Sequence, residues 1–381
     1  MTSLTWHQVN AWRLARHRLS PRQVSPRSFE RIAADICGIH AQMMSAAELQ
    51  LAARVEGLTA RQVQDALWKQ HSLIKTWAMR GTLHVFSAED FPLYAAAFRI
   101  RDHWRRPSWL KAFDVSDAEM VAIIDGIGEV LGDGEARTRE ELAGEVASRV
   151  GAHAREKLLG DSWGALLKPA ASGGVLAFGP NRGRNVTFVR PDRWIEGWQD
   201  LEPEPSAREI LRRFVHIHGP TRPENFAHWW GLAQAKAKLV WRSIEKELAE
   251  VEVEGERAWV LAADATAIAA TDRDHSVRLV PNFDAYLLAY HPRSALVAHG
   301  VRDLIFRQQG WISPVMLIGG KAAGIWELER KPSRALVRVE PFGRLPAGGK
   351  KAISMEADRL AGFLGLESEI RFEPVTFLKT R

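Results

Sequence analysis

The stretch Gly38-Ile39-His40-Ala41-Gln42-Met43-Met44-Ser45 separates two helical patterns and carries polar side chains where a simple connector needs none. Upstream, apolar residues recur at helical spacing up to Cys37, and Gly38 stands where a left-handed helix cap favours glycine. Ser45 with Glu48 forms a capping-box pattern, which predicts the start of the next helix. The sequence therefore predicts a non-helical link over His40-Ala41-Gln42.

An extended link projects His40 and Gln42 to the same side, because residues two apart share a face in an extended chain. In a helix the two side chains would lie about 200° apart around the axis. An imidazole beside a carboxamide can position one water molecule and partly deprotonate it. The alternative is that both side chains only hydrogen-bond the ends of the neighbouring helices, as polar residues at helix ends commonly do.

Composition restricts the class of protein. A chain of 381 residues allows two to four domains, and its net charge of +6 with a pI near 9.5 permits a polyanionic partner without requiring one. Cys37 is the only cysteine, so the chain has no disulfide framework or cysteine-based zinc site, which fits a reducing cytoplasm. A membrane-spanning apolar run and a secretion signal are both absent from the sequence.

A second polar pattern begins at Leu73. The alternation from Leu73 to Phe86 predicts one strand, and an unbroken pleat would place Thr76, Arg80, Thr82 and His84 on one face. A run further on interleaves arginines with His103, Trp104 and Trp109, the combination of charge and rings that nucleic-acid grooves use. The arginines proposed there as DNA contacts are Arg101, Arg105 and Arg106. The alternative is a solvated helix end beside two core tryptophans.

Blocks of helix, helix and hairpin recur along the chain, which is the order of a winged helix. In the second block, the run from Ser162 to Ala171 is a predicted short helix, and its Lys168 is a predicted DNA contact. The following hairpin tip carries Arg182 and Arg184. A wing uses such a tip to contact phosphates, although an ordinary exposed tip is also polar. The third block ends in an acidic tip, which argues against phosphate contact. The predicted α+β fold has winged-helix segments at 1–132, 133–200 and 201–270, and a β-rich segment at 271–381.

Known cofactor patterns are missing from the sequence. It contains neither a glycine-rich phosphate loop before a helix nor a His-Glu-x-x-His motif, so we expect no nucleotide cofactor and no metal. His216 and His218 lack an obvious third ligand and diverge on a helical pattern, so we interpret both as structural.

Several motifs together resemble the winged-helix family of AlkZ/YcaQ-type DNA glycosylases, and the resemblance covers nearly the whole chain. The matching stretches are Gly38–Met43, Trp77–Val85, Val189–Trp194, His218–Thr221 and Val280–Leu288. The resemblance implies three winged-helix motifs and a β-rich part around a concave DNA-binding channel. It also implies removal of alkylated purines from double-stranded DNA, and some relatives act on bulky adducts or crosslinks.

The same resemblance implies a site. The family's catalytic motif is Gln-aliphatic-Gln in one branch and Gln-x-Asp in the other, and His40-Ala41-Gln42 occupies the matching positions. The second glutamine is kept as Gln42 and the first position is His40, so the chain resembles the AlkZ-like branch as a His-x-Gln variant of its motif. The resemblance then implies a monofunctional glycosylase for N7- or N3-alkylated purines, in which Gln42 orients a water molecule and His40 binds it or accepts its proton.

Two rivals and some further expectations accompany this interpretation. Arg80, Thr82 and His84 are expected to shape the same channel, more as structural groups than as catalytic ones. The rivals are a non-enzymatic winged-helix regulator, which usually needs a dimer, and a sensor that binds damage without cutting. Several binding motifs in one chain weaken the need for a dimer, so we expect a monomer. For a DNA repair enzyme we expect a cytoplasmic location, in association with the nucleoid.

Overall fold

The computed structural model describes residues 2–160 and 164–375, which form an α+β protein with two compact units. Unit 1 holds residues 1–63, 211–229 and 233–381, and unit 2 holds residues 64–210 and 230–232. Among the described residues, no helix is long and apolar enough to cross a membrane.

Helices and short strands alternate along most of the chain. The helices are α1 Trp6–Arg16, α2 Arg31–Asp35, α3 Met44–Ala52, α4 Ala60–Trp68, α5 Phe91–Phe98, α6 Pro107–Ala112, α7 Asp117–Val130, α8 Arg139–Val150, α9 His153–Gly160, α10 Lys168–Ser172, α11 Pro191–Trp194, α12 Pro203–His218, α13 Pro223–Trp230, α14 Gln234–Arg242, α15 Ala265–Ala269, α16 Ala285–Leu288, α17 Arg293–Leu296, α18 Arg302–Ile305 and α19 Gly349–Phe363. The strands are β1 Thr2–Leu4, β2 Ile39–His40, β3 Leu73–Trp77, β4 Leu83–Ser87, β5 Arg137–Thr138, β6 Ala177–Arg182, β7 Asn185–Val189, β8 Leu248–Val253, β9 Glu256–Leu261, β10 Val277–Val280, β11 Val315–Ile318, β12 Lys321–Arg330, β13 Arg334–Pro341 and β14 Glu367–Phe372.

Unit 1 contains two sheets. In the smaller one, β1 pairs in parallel with β8, which forms a hairpin with β9. The larger sheet has the order β10-β11-β12-β13-β14, antiparallel except for the parallel pair β13 and β14. Helix α19 covers one face of this sheet and buries Ile353, Ala357 and Leu360 against Leu279 and Trp326. The apolar stripe of α19 therefore supplies the hydrophobic free energy that holds helix and sheet together.

Unit 2 contains a sheet in which β4, β3, β6, β7 and β5 are neighbours in that order. Helices α7 and α8 bury Met120, Ile127 and Leu142 in the core of this unit, which also contains Phe178 and Phe188 of β6 and β7. Thr138 closes a capping box with Glu141 at the start of α8. The hairpin of β6 and β7 is confirmed, with a tip at residues 183–184.

Two local predictions are wrong, and a third is covered only in part by the described residues. The stretch from Leu73 to Phe86 is a hairpin of β3 and β4 instead of one strand, because a tight turn at Met79–Gly81 reverses the chain. Helix α3 begins at Met44, so the Ser45–Glu48 pattern does not start it. Ser162 and Trp163 lie outside the described residues, and helix α10 begins only at Lys168. The number of winged-helix motifs, the four segment boundaries and the concave channel stay predictions.

Candidate active site and nucleic-acid interface

The link between α2 and α3 is non-helical, as predicted. Cys37 and Gly38 both adopt positive φ angles, 59° and 90°, and the Gly38 amide donates to the Ala33 carbonyl at 2.7 Å. These two residues end α2 and turn the chain into β2, which contains His40. The left-handed cap is therefore Cys37 as well as the predicted glycine. His40 is buried and Gln42 is exposed, so the two side chains of the link differ in their access to solvent.

The His40 ring is fixed by aromatic packing within unit 1. Its centroid lies 4.8 Å from that of Phe283, with an interplanar angle of 31°. Phe283 in turn makes an edge contact with Trp311 at 5.1 Å. Phe283 has a φ of 56°, a conformation that costs free energy for a bulky residue and marks a position that its surroundings hold in place.

A buried amide ties the backbone of the link to the same region. Gln50 of α3 donates to the His40 carbonyl at 3.0 Å and accepts the Ala285 amide at 3.3 Å. Gln50 is fully buried, so both hydrogen bonds lie in a medium where leaving either group unpaired costs about 1–3 kcal/mol. The link and the segment before α16 are therefore held in one arrangement.

A buried ion pair continues this connection. Arg54 donates to both carboxylate oxygens of Asp284, at 2.8 and 2.7 Å, and to the carbonyls of His17 and Gln50, both at 2.9 Å. Asp284 also accepts the Tyr286 amide at 2.9 Å. Sequence reasoning gave none of Gln50, Arg54, Phe283 or Asp284 a role, although an acid inside the apolar stretch Val280–Leu288 was a signal for a buried partner.

The turn between β3 and β4 brings two arginines of unit 2 together. Arg80 has a φ of 55°, and the Ala78 carbonyl accepts both the Gly81 amide at 3.0 Å and the Arg101 guanidinium at 2.7 Å. Gly231 packs so closely that a Cβ there would lie 3.0 Å from the Arg80 Cα. Burial lowers the pKa of Arg80 to about 10, and burial together with Arg80 lowers the pKa of Arg101 to about 10.

Four cations gather around this turn. The Lys168 side chain lies beside Gly81, with its Cδ 3.7 Å from where a Cβ of that glycine would stand. Burial, followed by the charges of Arg101, Arg106 and Lys168, lowers the pKa of His103 to about 4. The structure therefore brings Arg80, Arg101, Arg106 and Lys168 together, and we call these four residues the cation cluster.

Most of the other arginines that were predicted to contact DNA already interact with protein groups. Arg101 is buried and donates to a backbone carbonyl, so we correct its predicted role from a DNA contact to a support of the turn. Arg105 pairs with Asp117 at 2.6 Å, and Arg182 pairs with Glu141 at 2.8 Å, so both guanidinium groups already have carboxylate partners. Arg184 is exposed at the tip of the hairpin of β6 and β7.

Thr76, Thr82 and His84 are parts of the hairpin itself. Thr76 stands opposite His84 in the register, and the His84 Nδ1 lies 3.0 Å from the Thr82 carbonyl. Thr82 donates to the Met79 carbonyl at 3.0 Å. The predicted common face of an unbroken strand is wrong, because Arg80 and Thr82 lie in or next to the turn.

The two histidines of α12 have structural surroundings. His216 lies 2.7 Å from an Asp264 oxygen, and His218 is buried against His17 and Phe214. Burial lowers the pKa of His218 to about 3, which keeps its ring neutral. Residues 2–160 and 164–375 contain no group of three or more His, Cys, Asp or Glu side chains that could hold a metal ion.

Comparison with known proteins identifies the family of this chain. The family model described as DNA glycosylase AlkZ-like matches residues 33–363. The interstrand DNA cross-link repair glycosylase of Streptomyces sahachiroi is 34% identical over 371 residues, which is 95% of this chain and 97% of that protein. The solved structure of Streptomyces sahachiroi DNA glycosylase AlkZ superposes with a TM-score of 0.88 at 32% identity, covering 98% of this chain and 100% of the other. The chain therefore belongs to the AlkZ-like family of DNA glycosylases, which are DNA-binding repair enzymes.

Proposed function

We propose that this DNA glycosylase is monofunctional and hydrolyses the N-glycosidic bond of N7- or N3-alkylated purines in double-stranded DNA, including purines joined in interstrand crosslinks. The observation that carries the proposal is the rigid link, which holds His40 against Phe283 and leaves Gln42 exposed two residues later. The name of the Streptomyces relative, an interstrand DNA cross-link repair glycosylase, supports the crosslinked substrate.

Hydrolysis of the glycosidic bond of an alkylated purine needs little catalysis. Alkylation at N7 or N3 gives the purine a positive charge, so the bond from C1′ to N9 breaks easily and its electron pair neutralises the leaving base. Gln42 orients a water molecule toward C1′, and His40 accepts the proton that this water loses as its oxygen bonds to C1′. The link contains no lysine, so it offers no amine for a Schiff base with the sugar.

The DNA backbone is the proposed partner of the basic groups. Arg80, Arg106 and Lys168 of the cation cluster and Arg184 at the hairpin tip are the groups that we assign to phosphates. Three winged-helix motifs and the β-rich segment would supply the channel in which these groups act, as the resemblance implies.

Duplexes that carry one lesion test the activity. We expect the protein to generate abasic sites in DNA that contains N7-methylguanine, N3-methyladenine or a bulky N7-adduct, and to leave unmodified DNA intact. Alkaline cleavage of end-labelled strands measures the abasic sites, and borohydride trapping checks for a covalent enzyme–DNA intermediate. Binding without an abasic product on any of the three lesions would contradict the proposed reaction, and a trapped covalent complex would contradict the monofunctional mechanism.

Salt dependence tests the phosphate contacts. We expect Lys168→Ala to reduce the slope of log affinity against log salt by about 1, because each phosphate contact releases roughly one counterion. Lys69→Ala is the control, since this exposed lysine already pairs with Asp65 at 2.6 Å and is expected to leave the slope unchanged. Fluorescence anisotropy with labelled duplex between about 50 and 200 mM salt measures both. Equal slopes for the Lys168 variant and the wild type would remove Lys168 from the interface.

A further inference from the structure

Trp311 is the one exposed tryptophan within residues 2–160 and 164–375. The exposed fraction of Trp311 is 38%, so more than a third of this side chain faces solvent. The part of this indole that faces solvent is a large apolar ring surface, which a stacked ligand would cover.

The position of Trp311 is fixed by a small hairpin. Phe306 and Ile312 form an isolated bridge, the Arg307 amide donates to the Trp311 carbonyl at 2.8 Å, and the Trp311 amide donates to the Gln308 carbonyl at 3.2 Å. The Asn282 side chain donates to the Ile312 carbonyl at 3.1 Å, which attaches this hairpin to the residue before Phe283. The indole is therefore presented on a held turn instead of a loose loop.

The same residues connect Trp311 to the link. The rings of His40, Phe283 and Trp311 form a continuous series, and the two centroid separations place the His40 and Trp311 rings within about 10 Å of each other. This separation is an upper limit. From C1′ a purine base reaches a little over half of it, and the van der Waals spacing of a stacked ring takes up much of the rest, so a base whose C1′ lies at the link can contact the indole. The surroundings also suit DNA, because Arg293 packs on Phe306 and lies near Arg302, which gives two cations for the flanking phosphates.

We propose that Trp311 is the surface on which the alkylated purine stacks, and that the indole selects this base by its positive charge. This inference rests on the proposed function, since it takes the cationic purine as the substrate. The face of an indole attracts a cation more strongly than any other side-chain ring does. A normal purine is neutral and gains only the stacking, so Trp311 favours the damaged base over the undamaged bases around it.

A pair of isosteric duplexes separates charge from shape. One contains 2′-fluorinated N7-methylguanine, which is cationic and slow to lose its base, and the other contains 7-methyl-7-deazaguanine, which has the same outline without the charge. We expect the wild-type protein to bind the cationic duplex more tightly. We expect Trp311→Leu to reduce this preference about 3- to 30-fold, and Trp311→Phe to give an intermediate value because its ring is a weaker cation partner.

Controls make the result specific to the indole. Met355→Ala removes another exposed apolar side chain, on α19, and is expected to keep the wild-type preference. A preference that Trp311→Leu leaves unchanged, or equal weakening of both duplexes, would overturn the inference. Binding is measured without catalysis, so the two proposals fail separately. If the protein prefers the cationic duplex through Trp311 but excises no base, only the proposed function is refuted. If it excises the base but its preference for the cationic duplex does not depend on Trp311, only the stacking role is refuted.

Discussion

Replacing Asp284 by alanine is expected to lower the free energy of unfolding by about 3–5 kcal/mol, because the change leaves the Arg54 guanidinium buried without its counter-charge. Both side chains are fully excluded from solvent, and two charge-assisted hydrogen bonds join them. The remaining partners of Arg54 are backbone carbonyls, which satisfy its protons but not its charge.

Equilibrium denaturation measures the loss, and the chain offers a matched control. Glu329 pairs with Arg338 at 2.8 Å on the exposed surface of the larger sheet, and Glu329→Ala is expected to cost no more than about 1 kcal/mol. Both changes break an arginine–carboxylate contact of similar length, so the difference between the two losses of unfolding free energy reports the effect of burial. A loss for Asp284→Ala that is no larger than the loss for Glu329→Ala would contradict the prediction.

The double variant Arg54→Met with Asp284→Leu identifies the cause of the loss. Apolar side chains of similar size can replace a buried ion pair with little change in stability, whereas removing one partner leaves a charge unpaired. We therefore expect the double variant to recover most of the stability that Asp284→Ala loses. If both variants are equally unstable, the loss comes from the packing and backbone contacts of Asp284 and not from the unpaired charge.

Local signals were readable from the sequence. Thr5 closes a capping box with Gln8 at the start of α1, and the Gly319-Gly320 turn joins β11 and β12. These features depend on residues a few positions apart, where backbone geometry and capping chemistry decide the outcome. The cap at Cys37 and Gly38, which ends α2, belongs to this class, whereas the arrangement of the link also depends on the distant residues Phe283 and Ala285.

Features that depend on distant residues could not be read in the same way. Strand β1 pairs with Val251–Val253, and Arg54 meets an acid 230 positions away, so no local window contains the partner. Arg80 adopts a left-handed conformation that its own propensity disfavours, and the resulting turn replaced one predicted strand by a hairpin. The burial of Arg101 follows from that turn, since the carbonyl that it binds lies at the turn's start.

Replacing Gln42 by alanine is expected to reduce the single-turnover excision rate by about 100-fold or more, while stability changes by less than about 0.5 kcal/mol. The side chain is exposed, so its loss leaves no cavity in the core. Gln70→Ala, another exposed glutamine, is the control and is expected to keep the wild-type rate. A Gln42 variant with the wild-type rate would contradict the water-orienting role.

The His40 variants decide what the histidine does. We expect His40→Ala to lose about as much rate as Gln42→Ala, and the double variant to lose little more, because both side chains act on one water molecule.

His40→Gln keeps a hydrogen-bonding group at that position but cannot accept a proton at neutral pH. If His40 is the proton acceptor, the wild-type rate falls at acid pH as the imidazole becomes protonated, and His40→Gln loses this dependence. A His40→Gln profile that falls in parallel with the wild-type profile would show that His40 only positions the water. Spontaneous depurination, measured without enzyme at each pH, is subtracted, since the cationic base leaves slowly on its own. This comparison separates the two roles because the glutamine preserves the hydrogen bond and removes only the basicity.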